Sequence, residues 1–265
     1  MSRLKAAFDG LKREGRSGLV AFITAGDPTL EATAGIMSAL DEAGADVIEL
    51  GVPFSDPLAD GPVIQRASER ALRGGASLGK TLSLVACVRA AVRAPIVIFT
   101  YANPVLRMGE DAFVRAAAAA GVDGVLMLDL PVEESAAFDA KLAAAGLDLI
   151  CLLSPTSTDA RIETAARIGR GFLYVISRLG VTGARDQMAG GAQDLVARVR
   201  RHTDLPVALG FGLSRPEHVR DACAYADAAV VGSALVQTIA DASERGADPA
   251  EAAGAFVRWL RGAPA

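Results

Sequence analysis

Short apolar runs recur along the chain and alternate with longer amphipathic stretches. The runs are LVAFITA (19–25), DVIELGV (46–52), PIVIFTY (95–101), GVLMLDL (124–130), LDLICLL (147–153), GFLYVIS (171–177), PVALGFG (206–212) and AAVVGSA (228–234). Most are rich in β-branched residues and lack alternating polarity, the pattern of parallel strands covered on both faces. Helical stretches separate them. TLEATAGIMSALDEAG starts at Thr29, a good N-cap, and stops at Gly44. PVEESAAFDAKLAAAG places Pro131 and two glutamates in a first turn, where they suit the helix dipole. SPTSTDARIETAARIG and GLSRPEHVRDACAYA repeat the plan, and residues 62–92 read as two helices broken at Gly74-Gly75. One further helix opens the chain and another, DPAEAAGAFVRWLRG, closes it, with Trp259 in a packing role.

Strict βα alternation implies right-handed crossovers and a parallel sheet. Eight such units in 265 residues favour a closed barrel over an open doubly wound sheet, since a (β/α)8 barrel takes about 250 residues. The expectation is an α/β fold: a single (β/α)8 TIM barrel occupying residues 1–265, with extra helices at the N-terminus, after strand two and at the C-terminus. The fifth strand is expected at 147–153, with a register open to a shift of a few residues. No GxGxxG follows the first strand, which argues against a dinucleotide site.

Composition narrows the function classes. The chain is 51% hydrophobic and 22% charged with a net charge of −4, and its basic residues form no cluster, so nucleic acid is not an expected partner. No run of about 18 apolar residues suggests a membrane span. Cys87, Cys151 and Cys223 are an odd, widely spaced set without CxxC, which fits neither disulfides nor zinc. Cys87 and Cys151 read as small core residues, and the expected location is the cytoplasm.

In such barrels the chemistry sits at the C-terminal ends of the strands. Glu49 lies there, inside VIELG. The strand period of two puts Val47 and Glu49 on one face and Ile48 and Leu50 on the other. If Ile48 and Leu50 meet helices, Glu49 points into the barrel mouth, where burial raises the pKa of an unpaired carboxyl toward that of a general acid/base. A structural glutamate satisfied by an arginine or a backbone N–H is the alternative. Asp60, in PLADGP, either caps the helix at Pro62 or faces the same pocket, with Asp56 as rival. Glycine sets end three successive strand units, in LGVTGAR (179–185), GFG (210–212) and GSA (232–234). With a helix N-terminus near Ser233 they could cradle a phosphate. Residues 178–192 are the longest polar, glycine-rich connection and are expected to act as a lid. His202 and His218 read as surface residues. No metal-ligand spacing or GxSxG elbow is present, and lysines are nearly absent from the strand ends, so a Schiff-base mechanism has no obvious nucleophile.

Together FITAGDP (22–28), IELGVPFSDPLADGPVIQRA (48–67), TYANP (100–104), DLPVEES (129–135), SPTS (154–157), YVISRLGVTGAR (174–185), GFGLS (210–214) and VGSALV (231–236) resemble the tryptophan synthase alpha chain family over nearly the full length. The resemblance implies a lyase that splits indole-3-glycerol phosphate into indole and glyceraldehyde 3-phosphate by a retro-aldol step. It implies that Glu49 protonates indole C3 and takes the proton of the adjacent glycerol hydroxyl, while Asp60 holds the indole N–H. Phe22, Ile64, Phe99, Tyr101 and Tyr174 would wall in the ring, and Thr182 would close on Asp60. Gly183, Gly210, Phe211, Gly212, Gly232 and Ser233 would receive the phosphate. The resemblance further implies no cofactor in this chain and a pyridoxal-phosphate beta chain as partner in an α2β2 assembly, met by loops 53–61 and 178–192. Two other readings stay open: a non-catalytic subunit that only activates a beta chain, and another phosphate-binding barrel enzyme.

Overall fold

The computed structural model describes residues 2–176, 191–210 and 212–262. Its strands are β1 (Gly18–Thr24), β2 (Val47–Gly51), β3 (Ile96–Thr100), β4 (Gly124–Met127), β5 (Asp148–Leu149), β6 (Cys151–Leu153), β7 (Leu173–Ile176), β8 (Val207–Gly210) and β9 (Ala228–Val231). Their order in the sheet is β5-β4-β3-β2-β1-β9-β8-β7-β6, and every pairing is parallel. The two strands at the ends of that order are separated only by Ile150, so the sheet closes on itself. The fifth apolar run is thus one barrel position in two pieces. Its lower part follows β4, ending with Ile150 N–H donating to Val125 O (2.9 Å). Its upper part pairs with β7.

Burial sorts strand residues by parity. Val20, Val47, Val97, Leu126, Ile150, Phe172, Ala208 and Val230 fill the barrel interior. Ile23, Ile48, Leu50, Ile96, Ile98 and Val125 belong to the outer layer, with Ile36, Met37 and Leu40 of the helix Leu30–Glu42 and Leu82 and Val85 of the helix Leu78–Val88. Both faces of the sheet are covered, which explains the unbroken apolar runs. The amphipathic helix Arg3–Arg13 closes the barrel floor by inserting Leu4, Phe8 and Leu11, with the Phe8 and Phe172 rings 5.5 Å apart.

Aspartates that precede a strand fix the register of the strand before it. Leu19 N–H donates to Asp46 Oδ2 (2.7 Å), Ile96 N–H to Asp123 Oδ2 (2.8 Å) and Val207 N–H to Asp227 Oδ2 (2.7 Å). Hydrogen bonds to a charged group contribute about 1.5–3 kcal/mol. The same device operates at the top, where Asp129 Oδ1 accepts from Ala102 N–H at 2.6 Å and caps the helix Ala102–Met108, which lacks a side-chain cap of its own.

Thr29 caps the helix Leu30–Glu42, and the insert after β2 forms the helices Pro62–Arg73 and Leu78–Val88. Three details differ from the sequence reading. PVEES forms a short 3-10 turn, Val132–Glu134, ahead of the helix Ala136–Ala144, because the Ser135 hydroxyl donates back to Pro131 O (2.9 Å) and ends the first turn. Cys87 is exposed rather than in the core, since its helix buries Leu84, Val85 and Val88 instead. His218 is buried rather than on the surface.

Candidate active site

Val47 faces the interior, so the strand repeat turns Glu49 the same way, one layer higher. It pairs across the sheet with Phe22 and Val97. Glu49 is 0% exposed, and neither carboxyl oxygen has a hydrogen-bond partner among the described residues. Burial raises its pKa from 4.5 to about 8, because a carboxylate stripped of water and offered no donor is held more readily as the acid. At neutral pH the group therefore carries a proton it can give and later regain.

Asp60 closes the loop after β2 and is buried. It is not the helix cap: that position belongs to Gly61, ahead of Pro62. Tyr101, where β3 leaves the sheet, donates its hydroxyl to Asp60 Oδ2 (3.1 Å) and accepts from Ala59 N–H (3.2 Å), which ties the loop to the third strand unit. Phe54 packs on Tyr101 with ring centroids 5.0 Å apart. Burial raises the Asp60 pKa to about 6, and the Tyr101 hydrogen bond opposes the rise. Gln65 fixes the loop by donating to Asp60 O (2.8 Å). The rival Asp56 is exposed and accepts from Ser55 (2.6 Å). The mouth thus holds one carboxyl that is neutral at pH 7 and one that is ionised there.

Apolar side chains flank Glu49. Phe22 and Phe99 meet edge to face at 5.2 Å and cluster with Ile64, Ala67 and Val236. Tyr174 joins Phe99 at the top of the interior layer. Burial drives its hydroxyl well above the ordinary phenol pKa, and the nearby Glu49 charge adds to this. Parity also brings in Leu128 and Leu152, each two residues above an interior residue, Leu126 and Ile150. Sequence reasoning missed both, although the period of two that oriented Glu49 would have found them. It also missed Thr24, whose buried Oγ1 has no partner among the described residues.

Glycines shape the opposite rim. A Cβ on Gly210 would lie 2.4 Å from the Tyr174 hydroxyl, and one on Gly51 would lie 2.6 Å from Phe22. Gly212 has φ +81°. Gly232 packs beside Phe22 and precedes the helix Ser233–Glu244, whose first turn carries no acidic side chain. That leaves a positive helix end facing the mouth, suited to an anion. The structure thus brings together Glu49, Phe22, Ile64, Phe99, Tyr174, Gly210 and Gly232, with Asp60 and Tyr101 joined beside them. Thr182, Gly183 and Phe211, with most of the expected lid, lie outside the described residues. Among those described, no group of His, Cys, Asp or Glu is arranged to hold a metal ion, and no helix is long and apolar enough to cross a membrane.

Comparison with known proteins agrees with this geometry. The family model for the tryptophan synthase alpha chain matches residues 8–261. The chain is 54% identical to the tryptophan synthase alpha chain of Methylococcus capsulatus over 92% of each protein. To that of Solibacter usitatus it is 50% identical, over 93% of this chain and 92% of the relative. Among solved structures, tryptophan synthase subunit alpha from Legionella pneumophila superposes with a TM-score of 0.89 at 35% identity, covering 98% of this chain and 97% of that one. A chain of Mycobacterium tuberculosis tryptophan synthase gives 0.87 at 41% identity, covering 97% and 98%. A parallel barrel with an inward acid at its mouth, matched over nearly its whole length at such identity, belongs to the tryptophan synthase alpha chain family.

Proposed function

We propose that Glu49 and Asp60 carry the chemistry of this chain. As a family member the protein is a lyase that cleaves indole-3-glycerol phosphate in tryptophan biosynthesis. The single observation that carries the residue assignment is the Glu49 carboxyl: fully buried, unpartnered and raised to about 8.

The retro-aldol step breaks the bond between indole C3 and the first glycerol carbon. Protonated Glu49 gives its proton to C3, and positive charge spreads onto the ring nitrogen. Ionised Asp60 accepts the indole N–H and stabilises that charge. Glu49, now a carboxylate, takes the proton from the hydroxyl on the first glycerol carbon. The electrons of the cleaved bond return to the ring, and the hydroxyl-bearing carbon becomes the aldehyde of glyceraldehyde 3-phosphate. The proton count closes, since one proton has moved from oxygen to C3 by way of one carboxyl. Phe22, Ile64, Phe99, Tyr101 and Tyr174 hold the ring in this frame, and Thr182 closes over Asp60. Backbone N–H groups at Gly183, Gly210, Phe211, Gly212, Gly232 and Ser233 receive the phosphate. The open end of the Ser233–Glu244 helix supports this reading. Residues 1–265 work as one barrel domain.

The family needs no cofactor for this reaction, and pyridoxal phosphate resides in the beta chain. The M. tuberculosis structures are of tryptophan synthase, which implies a beta-chain partner here also; we place it in an α2β2 assembly. Two large apolar side chains support the docking face. Leu58, on the Asp60 loop, is 89% exposed, and Leu106, on the helix after β3, is 62% exposed.

Replacing Glu49 by Gln removes proton transfer with little change of shape. Turnover of indole-3-glycerol phosphate should fall by at least about a hundredfold, with substrate-analogue affinity within a few-fold of wild type. Turnover near the wild-type rate in Glu49→Gln would rule out the assignment.

A further inference from the structure

We infer that His218 is a positioning residue that holds the phosphate-receiving loop in shape, an inference that rests on the phosphate reading above. The loop leaves β8 at Gly210 and turns at Gly212 with φ +81°. It is then fixed twice. Leu213, 4% exposed, is anchored in the outer core. Ser214 N–H donates to His218 Nδ1 at 3.3 Å, and Ser214 Oγ lies 3.5 Å from the same nitrogen.

His218 is the third residue of the helix Pro216–Cys223, whose N-cap, Arg215, makes no side-chain capping bond. A side chain at that third position is placed to reach back toward the backbone ahead of the helix, as glutamate or glutamine does in a capping box. Here an imidazole does so, one residue further back than usual. Nδ1 is the ring nitrogen that faces Ser214 in both contacts. The ring is buried, and losing it takes the acceptor from the half-buried Ser214 N–H. Among the described residues of this loop, Leu213 then remains as the core anchor. His218 lies on the helix after the loop, away from the strand that carries Glu49, and its link to the phosphate runs through Ser214.

The test compares His218→Leu and His218→Gln with wild type in the full-length chain. Measured quantities are kcat and KM for indole-3-glycerol phosphate, inhibition by glycerol 3-phosphate, and binding of indole, which has no phosphate. A net hydrogen bond of ordinary strength corresponds to about a five- to tenfold change. His218→Leu should raise KM and the glycerol 3-phosphate inhibition constant by that factor, leaving kcat and indole binding within about twofold. Glutamine can accept the same bond, so His218→Gln should restore phosphate affinity to within about twofold of wild type. Unchanged glycerol 3-phosphate inhibition in His218→Leu would overturn the role, as would an equal loss of indole affinity. If wild type itself failed to bind glycerol 3-phosphate, the phosphate reading would fall first, which separates the two failures.

Discussion

A carboxyl group with no partner is costly to bury in its charged form, and Glu49 avoids that cost by holding its proton. The consequence is measurable as stability. Its folded pKa of about 8 stands above the ordinary 4.5, so the folded state binds the proton more tightly than the unfolded one. The associated stability is complete below about pH 4.5 and is lost as pH rises through about 8. Asp60, raised to about 6, acts in the same direction over a lower window. Glu49→Gln cannot ionise. Its urea-unfolding free energy should therefore match wild type near pH 4.5, exceed it by a few kcal/mol at about pH 8, and keep that lead above. A difference that does not grow with pH would mean that the carboxyl is hydrated or paired. The inward aim of Glu49 was legible in VIELG, because the strand period sets it opposite Ile48 and Leu50, which suit the helix-facing side. The bond from Tyr101 to Asp60 was not, since it joins residues 41 apart through a loop whose path no periodicity sets.

At the scale of elements, the strand ends do more than carry loops. Gly210 was readable as a candidate phosphate donor, but its second role, making room for the Tyr174 ring, depends on a neighbouring strand's register, Ile176 opposite Gly210. A methyl there would crowd the hydroxyl end of a side chain at the mouth, which can shift, rather than backbone. Gly210→Ala should consequently keep the fold, lose about 1–3 kcal/mol and raise KM at least about tenfold as the ring swings into the pocket. Removing the crowding hydroxyl in Gly210→Ala/Tyr174→Phe should recover part of that loss. An unchanged KM in the single variant would show that the contact is relieved without cost. The helix Ala102–Met108 shows where reading elements from sequence falls short. Its seven residues start just past Tyr101, which follows β3, and carry Pro104 in the first turn, and the sequence reading placed no helix there. Proline is tolerated there, and Asp129 from the next unit supplies the missing cap.

At the scale of the whole molecule, the barrel explains why one glutamate can stay dry. Eight strand positions wrap the interior, and Phe8 and Phe172 close its floor. Glu49 is 0% exposed, and Phe22, opposite it on β1, meets Phe99 edge to face. The fold was legible in the alternation of apolar runs with capped helices, since each run is a strand covered on both faces. The split at Ile150 was not, because a change of pairing partner leaves no mark on hydrophobicity. The central claim is that this enclosure sets the proton affinity of Glu49. The most direct test is a titration of its carboxyl by 13C NMR in the unliganded full-length chain, with Glu49→Gln to assign the signal. The account predicts a midpoint of about 8, and a midpoint at the ordinary 4.5 would contradict it.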